Sequence, residues 1–121
     1  MAWAKEIMQG GTSAGTAKAI NGGVSASITA AGTTQTDAFD LNASINVITT
    51  AAASTGVQIP SLEIGDETEI LNLGANSVTV YPASGERINS LTTNTGFVLA
   101  TATAVKVRKF TTTRNVAWLS A

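Results

Sequence analysis

The sequence predicts an all-β protein, a single antiparallel β-sandwich or jelly-roll-like barrel carrying an N-terminal arm. Three observations predict it. Apolar and polar residues alternate with a period of two from Val24 onward, as half-buried strands require. Thr-rich, β-branched segments are separated by short clusters of Gly, Asn, Ser and Pro. The chain has 121 residues, enough for one domain with one modest core.

Residues 1–23 read as an arm and 24–121 as the β-domain. In the arm, Ala2 to Gln9 places Trp3, Ile7 and Met8 at helix-compatible spacing, and Gly10-Gly11 and Gly22-Gly23 act as hinges. Neither glycine pair is a phosphate-cradling loop, because neither follows a strand and opens a helix with a downstream Lys-Ser or Lys-Thr. Two readings of Trp3 stand side by side: an anchor in a partner, or packing on its own domain.

In the domain, Val24, Ala26, Ile28 and Ala30 alternate against Ser25, Ser27 and Thr29, giving the first strand an apolar inner face. Leu41, Ala43, Ile45 and Val47 repeat the pattern, with Asn42, Ser44 and Asn46 expected to face solvent or a polar interface. Glu67 to Leu73 and Val78 to Tyr81 flank Gly74-Ala75-Asn76-Ser77, whose Gly and Asn suit a tight hairpin. Pro82, which cannot donate to a ladder, ends the second of these strands. Phe97 to Ala100, Ala104 to Phe110 and Asn115 to Leu119 complete the set, with Thr111 to Arg114 turning between the last two. Val78, Val80, Phe97, Leu99, Val105, Val107 and Trp118 are the expected core. No internal repeat stands out.

Composition excludes several function classes. Hydrophobic residues make up 44% of the chain, but many are Ala, so the core is thin and part of the burial is expected between copies or against a partner. The net charge of −1 lacks the excess of Lys and Arg that phosphate neutralisation requires, so nucleic acid is not an expected partner. No apolar run approaches the roughly 20 residues that span a bilayer, and the first ten residues lack the apolar region of a signal peptide, so a soluble protein made in a cytoplasm is expected. There is no His and no Cys, which removes the commonest general base, thiolate chemistry and zinc–thiolate sites. No enzyme activity, cofactor or metal is expected.

Two charged groups remain. Glu63, Asp66, Glu67 and Glu69 match no calcium-loop spacing and read as a solvated loop and strand edge. Lys106, Arg108, Lys109 and Arg114 form a basic cluster, in which Lys106 and Arg108 share a strand face with Phe110 while Val105 and Val107 point the other way. That face is either a docking patch for an acidic surface or a solvated face guarding against edge aggregation. Trp3, Ile7, Met8, Lys106 and Arg108 are thus the candidate partner-binding residues.

The run Gly65-Asp66-Glu67, Ile70-Leu71-Asn72-Leu73-Gly74-Ala75-Asn76, Val78-Thr79-Val80-Tyr81-Pro82, Gly85 and Ile88-Asn89, with the closing strand around Trp118, resembles small virion structural proteins of tailed bacteriophages, of head-decoration or head-fibre type. The resemblance covers 41–121 and includes no active-site residues. It implies a β-domain that oligomerises, often as a trimer, on the capsid exterior. The expected role is a capsid decoration (cement) protein bound to the major capsid protein; the alternative is a head-fibre or tail-fibre module that recognises a host receptor or glycan. Aromatics are only 5% of the chain, which favours the structural role over glycan binding.

Overall fold

Alternating, β-branched sequence extends the backbone throughout, and the described residues contain ten strands and no helix. The structure is a computed structural model that describes residues 23–120. Most of the arm, including Trp3, Ile7 and Met8, lies outside the described residues.

The chain winds back and forth between two sheets. β1 (Val24–Thr29), β3 (Ile45–Thr50) and β5 (Glu67–Asn72) lie parallel and side by side in one sheet. β2 (Phe39–Asp40), β4 (Gly56–Gln58) and β6 (Val78–Tyr81) lie parallel in the other. Each successive pair is one turn of a β-solenoid stacked on the turn before it. The last strands close the coil with different pairings. β7 (Arg87–Ile88) returns to the far edge of the first sheet, and β8 (Phe97–Leu99) runs antiparallel to β6. β9 (Thr103–Lys109) runs antiparallel to β5, and β10 (Arg114–Leu119) lies between β9 and β7, antiparallel to β9. The sheet orders are β1-β3-β5-β9-β10-β7 and β2-β4-β6-β8.

The all-β class stands, but the antiparallel sandwich or jelly-roll does not: the first three turns pair in parallel. A period of two is common to parallel and antiparallel strands, so direction is decided by the connections. The segment Gly74 to Ser77 shows how. It was expected to close a hairpin between β5 and β6, yet those strands belong to different sheets and the segment is a corner. The Gly74 N–H donates to Asn72 Oδ1 (2.9 Å), Asn72 Nδ2 donates to the Asn76 carbonyl (3.0 Å), and Asn76 Nδ2 donates to the Ala51 carbonyl (2.9 Å). These bonds tie the corner to the turn beneath it, around Ala51, instead of closing it on itself.

Stacked turns put like positions in register, so the core consists of rows that run across strands. Ile28 sits on Ile48, and Asn46 on Ile70, which sits in turn on Val105. In the second sheet Val57 sits on Val80, flanked by Phe39 and Phe97. Val78, Val80, Leu99, Val105 and Val107 are buried as expected, and Phe97 packs partly buried against them. Because the turns differ in length (Val24 pairs with Ile45, and Ile45 with Glu69), the stacking leaves no fixed repeat in the sequence.

Three inward faces differ from the expected ones. Trp118, expected in the core, is 51% exposed. On β10 the inward positions are Asn115, which is buried, and Ala117, which packs against the core, and alternation therefore sends Trp118 outward. On β3 the buried residues are Asn46 and Ile48, not Ile45 and Val47, because Asn46 finds hydrogen-bond partners inside. On β1 a register shift between Ser25 and Ile28 changes the parity, leaving Val24 62% exposed while Ile28 and Ala30 are buried.

Gly74 tests the corner account. A Cβ there would lie 2.7 Å from the Ala51 Cβ and 2.9 Å from the Ala51 nitrogen, so the two turns could not approach as they do. Gly74→Ala is expected to destabilise the fold by about 1–3 kcal/mol, measured as a lower urea midpoint with unchanged slope.

Candidate functional site

The outer face of the six-stranded sheet carries the charged and aromatic groups that could meet a partner. Alternation on β9 sends Lys106 and Arg108 outward between the buried Val105, Val107 and Lys109. The antiparallel pairing with β5 sets Glu67 opposite Arg108 and Glu69 opposite Lys106, while β10 sets Trp118 beside Lys106 and Val116 beside Arg108. Arg108 pairs with Glu67, and Lys106 Nζ lies 3.8 Å from the same carboxylate. Both cationic side chains remain about half exposed, so these pairs order the face and add little stability. The face includes an open groove lined by Glu69, Ala104, Lys106, Trp118, Leu119 and Ser120. Leu119 is 59% exposed at its rim.

The basic cluster read from the sequence is therefore divided. Lys106 and Arg108 share the outer face with an exposed Trp118 that the sequence reading had placed inside. Arg114 sits over the Phe110 ring, 5.9 Å from its centroid. Lys109 points into the protein. Its Nζ is 3.0 Å from Glu86 Oε2, and both side chains are more than nine-tenths buried. Ser61 Oγ donates to the same oxygen (2.8 Å), and Asn115 Nδ2 donates to Glu86 Oε1 (3.1 Å). Burial raises the cost of charge on Glu86, but the bonds from Asn115, Ser61 and Lys109, with the lysine charge, outweigh it and hold the carboxyl below its ordinary pKa.

The acidic stretch does not converge. Asp66 Oδ2 accepts the Glu63 N–H (3.3 Å), Glu67 faces the basic row, and among the described residues no three Asp or Glu side chains are placed to hold a metal ion. Trp3, Ile7 and Met8 lie outside the described residues, so only Lys106 and Arg108 of the sequence-derived set are placed. Two features escaped the sequence reading, the outward Trp118 and the buried Glu86–Lys109–Asn115 cluster. The one available signal was the strict alternation through Lys106, Val107, Arg108 and Lys109, which puts Lys109 on the valine side.

The chain matches no protein-family model, no curated protein and no solved structure.

Glu86→Ala would leave a buried ammonium without its counter-charge. The expected loss is about 3–5 kcal/mol, read from chemical denaturation, whereas Glu67→Ala on the solvated face should cost under about 1 kcal/mol.

Proposed function

We propose that the chain is a non-enzymatic structural protein of a bacteriophage virion, a decoration (cement) protein that binds the outer capsid lattice through the exposed face of its six-stranded sheet. The observation that carries the reading is the outward row Glu69, Lys106 and Trp118 with Leu119 at its rim. A large aromatic and an aliphatic side chain are exposed there among ordered charges, the composition of an interface with an apolar centre and a polar rim. The resemblance of 41–121 to phage virion proteins supplies the biological setting: a homo-oligomer, a trimer, on the capsid exterior, in contact with the major capsid protein. Residues 1–23 serve in this reading as an arm that reaches a neighbouring copy or the shell. Many equivalent attachments on a lattice hold the protein even when each contact is modest.

A second reading follows from the same tryptophan. An exposed indole beside Ser120 and Glu69 also suits stacking on a sugar ring, as a fibre module that binds a host glycan would require.

Trp118→Ala separates the two. The variant is expected to keep its β circular dichroism and its melting temperature, since the side chain is half in solvent. Its affinity for undecorated heads should fall by about thirtyfold, the loss of a tryptophan worth about 2 kcal/mol at an interface. Unchanged head binding together with lost binding to host cells would favour the fibre reading, and unchanged behaviour in both assays would remove this face from the function.

A further inference from the structure

Glu86, Lys109 and Asn115 form a buried polar cluster that joins three neighbouring segments. Lys109 and Asn115 are directly opposite on β9 and β10. The backbone of Lys109 is turned toward the other neighbour, its N–H donating to the Asp66 carbonyl (3.1 Å) and its carbonyl accepting from the Gly65 N–H (2.7 Å). The pair is therefore a non-hydrogen-bonded one, the kind in which facing side chains approach most closely. The two oxygens of Glu86 engage the two groups at once: Oε2 is 3.0 Å from Lys109 Nζ and Oε1 is 3.1 Å from Asn115 Nδ2. Glu86 is itself fixed, since its N–H donates to the Ala83 carbonyl (3.0 Å) and its carbonyl accepts from the Asn94 N–H (2.8 Å). Asn115 Oδ1 is buried and, like Asn46 Oδ1, has no hydrogen-bond partner among the described residues, so the amide carbonyl is not engaged elsewhere. All three side chains are at least nine-tenths buried, and Val107 and Ile88 beside them on β9 and β7 are fully buried.

We propose that Lys109 and Asn115 form an intramolecular isopeptide bond, with Glu86 as the proton-transfer group. Glu86, whose Oε2 is hydrogen-bonded to Nζ, takes a proton from the Lys109 ammonium and so frees the amine as a nucleophile. The Nζ lone pair attacks Asn115 Cγ and the Nζ–Cγ bond forms. Glu86, whose Oε1 is 3.1 Å from Nδ2, passes the first proton to that nitrogen, the Cγ–Nδ2 bond breaks and ammonia departs; the carboxylate so freed takes the second proton from Nζ and hands it to the ammonia, which leaves as ammonium. One amide replaces another, nothing is oxidised or reduced, and no co-reactant is consumed. Holding amine, amide and carboxyl together in a dry site supplies the effective concentration that the free side chains lack in water. The product covalently closes the hairpin that carries the outward Trp118.

Intact mass spectrometry of the purified, denatured chain tests this directly. The expected mass is that of the sequence less one ammonia, in stoichiometric yield. Trypsin cuts after Arg108 and Arg114, so the 109–114 and 115–121 segments should remain joined as one branched peptide, with cleavage after Lys109 blocked. Lys109→Arg, Asn115→Ala and Glu86→Gln should each show the full translated mass, a measurement that does not depend on the variants' stability. A wild-type chain at full mass overturns the proposal, as does a chain short of ammonia whose two peptides separate. Loss of ammonia that persists in Glu86→Gln overturns the role of Glu86.

Discussion

Buried side-chain amides at the corners between the sheets are what the rest of the structure depends on. A chain that turns from one sheet to the other leaves backbone groups that no ladder reaches, and each must be satisfied where water is excluded. Asn46 and Asn72 are fully buried and do this work. Asn46 donates to the Ala43 and Glu69 carbonyls and to Thr68 Oγ1, which itself donates to Ala43. Asn72 donates to Asn76 and Leu99 and accepts from Gly74, linking the end of β5 to the next corner and to β8. The apolar rows stack in parallel because these bonds place successive turns above one another.

Much of this was legible in the sequence, and the parts that were not share a physical reason. Alternation located the strands, and the turn at Thr111 to Arg114 was read as the link between β9 and β10, which pair as an antiparallel hairpin. The β5–β6 hairpin was misread because Gly and Asn suit both a tight reversal and a corner where turns touch; Gly74 is there for its closeness to Ala51, at a φ that is not positive. Burial of Asn46 in place of Ile45, and of Asn115 in place of Trp118, defeats any rule that puts the most apolar residue inside. In both strands the buried amide Nδ2 finds acceptors inside, and hydrophobicity alone does not encode such partners.

The same alternation gives β9 two opposed chemistries. Lys106 and Arg108 face solvent, ordered by Glu67 and flanked by Trp118, while Lys109, one residue on, is enclosed by Ser61, Glu86 and Asn115. The outer face presents ordered charges and an exposed indole, and the inner cluster joins the strands that carry them. β7 is held to β10 through Arg87 to the Thr113 carbonyl (2.9 Å) and Asn89 to the Asn115 carbonyl (2.8 Å), so the loop bearing Glu86 and the hairpin bearing Lys109 and Asn115 form one unit. The core is supplemented by polar clusters at its corners and at its closing end.

The parallel coil is the central claim, and nuclear Overhauser contacts between backbone protons test it most directly. The coil predicts contacts between Asn46 and Ile70 on β3 and β5 and between Val57 and Val80 on β4 and β6, in the pattern of parallel strands, with no ladder between β5 and β6. Strong Hα–Hα contacts between β5 and β6, the mark of an antiparallel hairpin across Gly74 to Ser77, would contradict it.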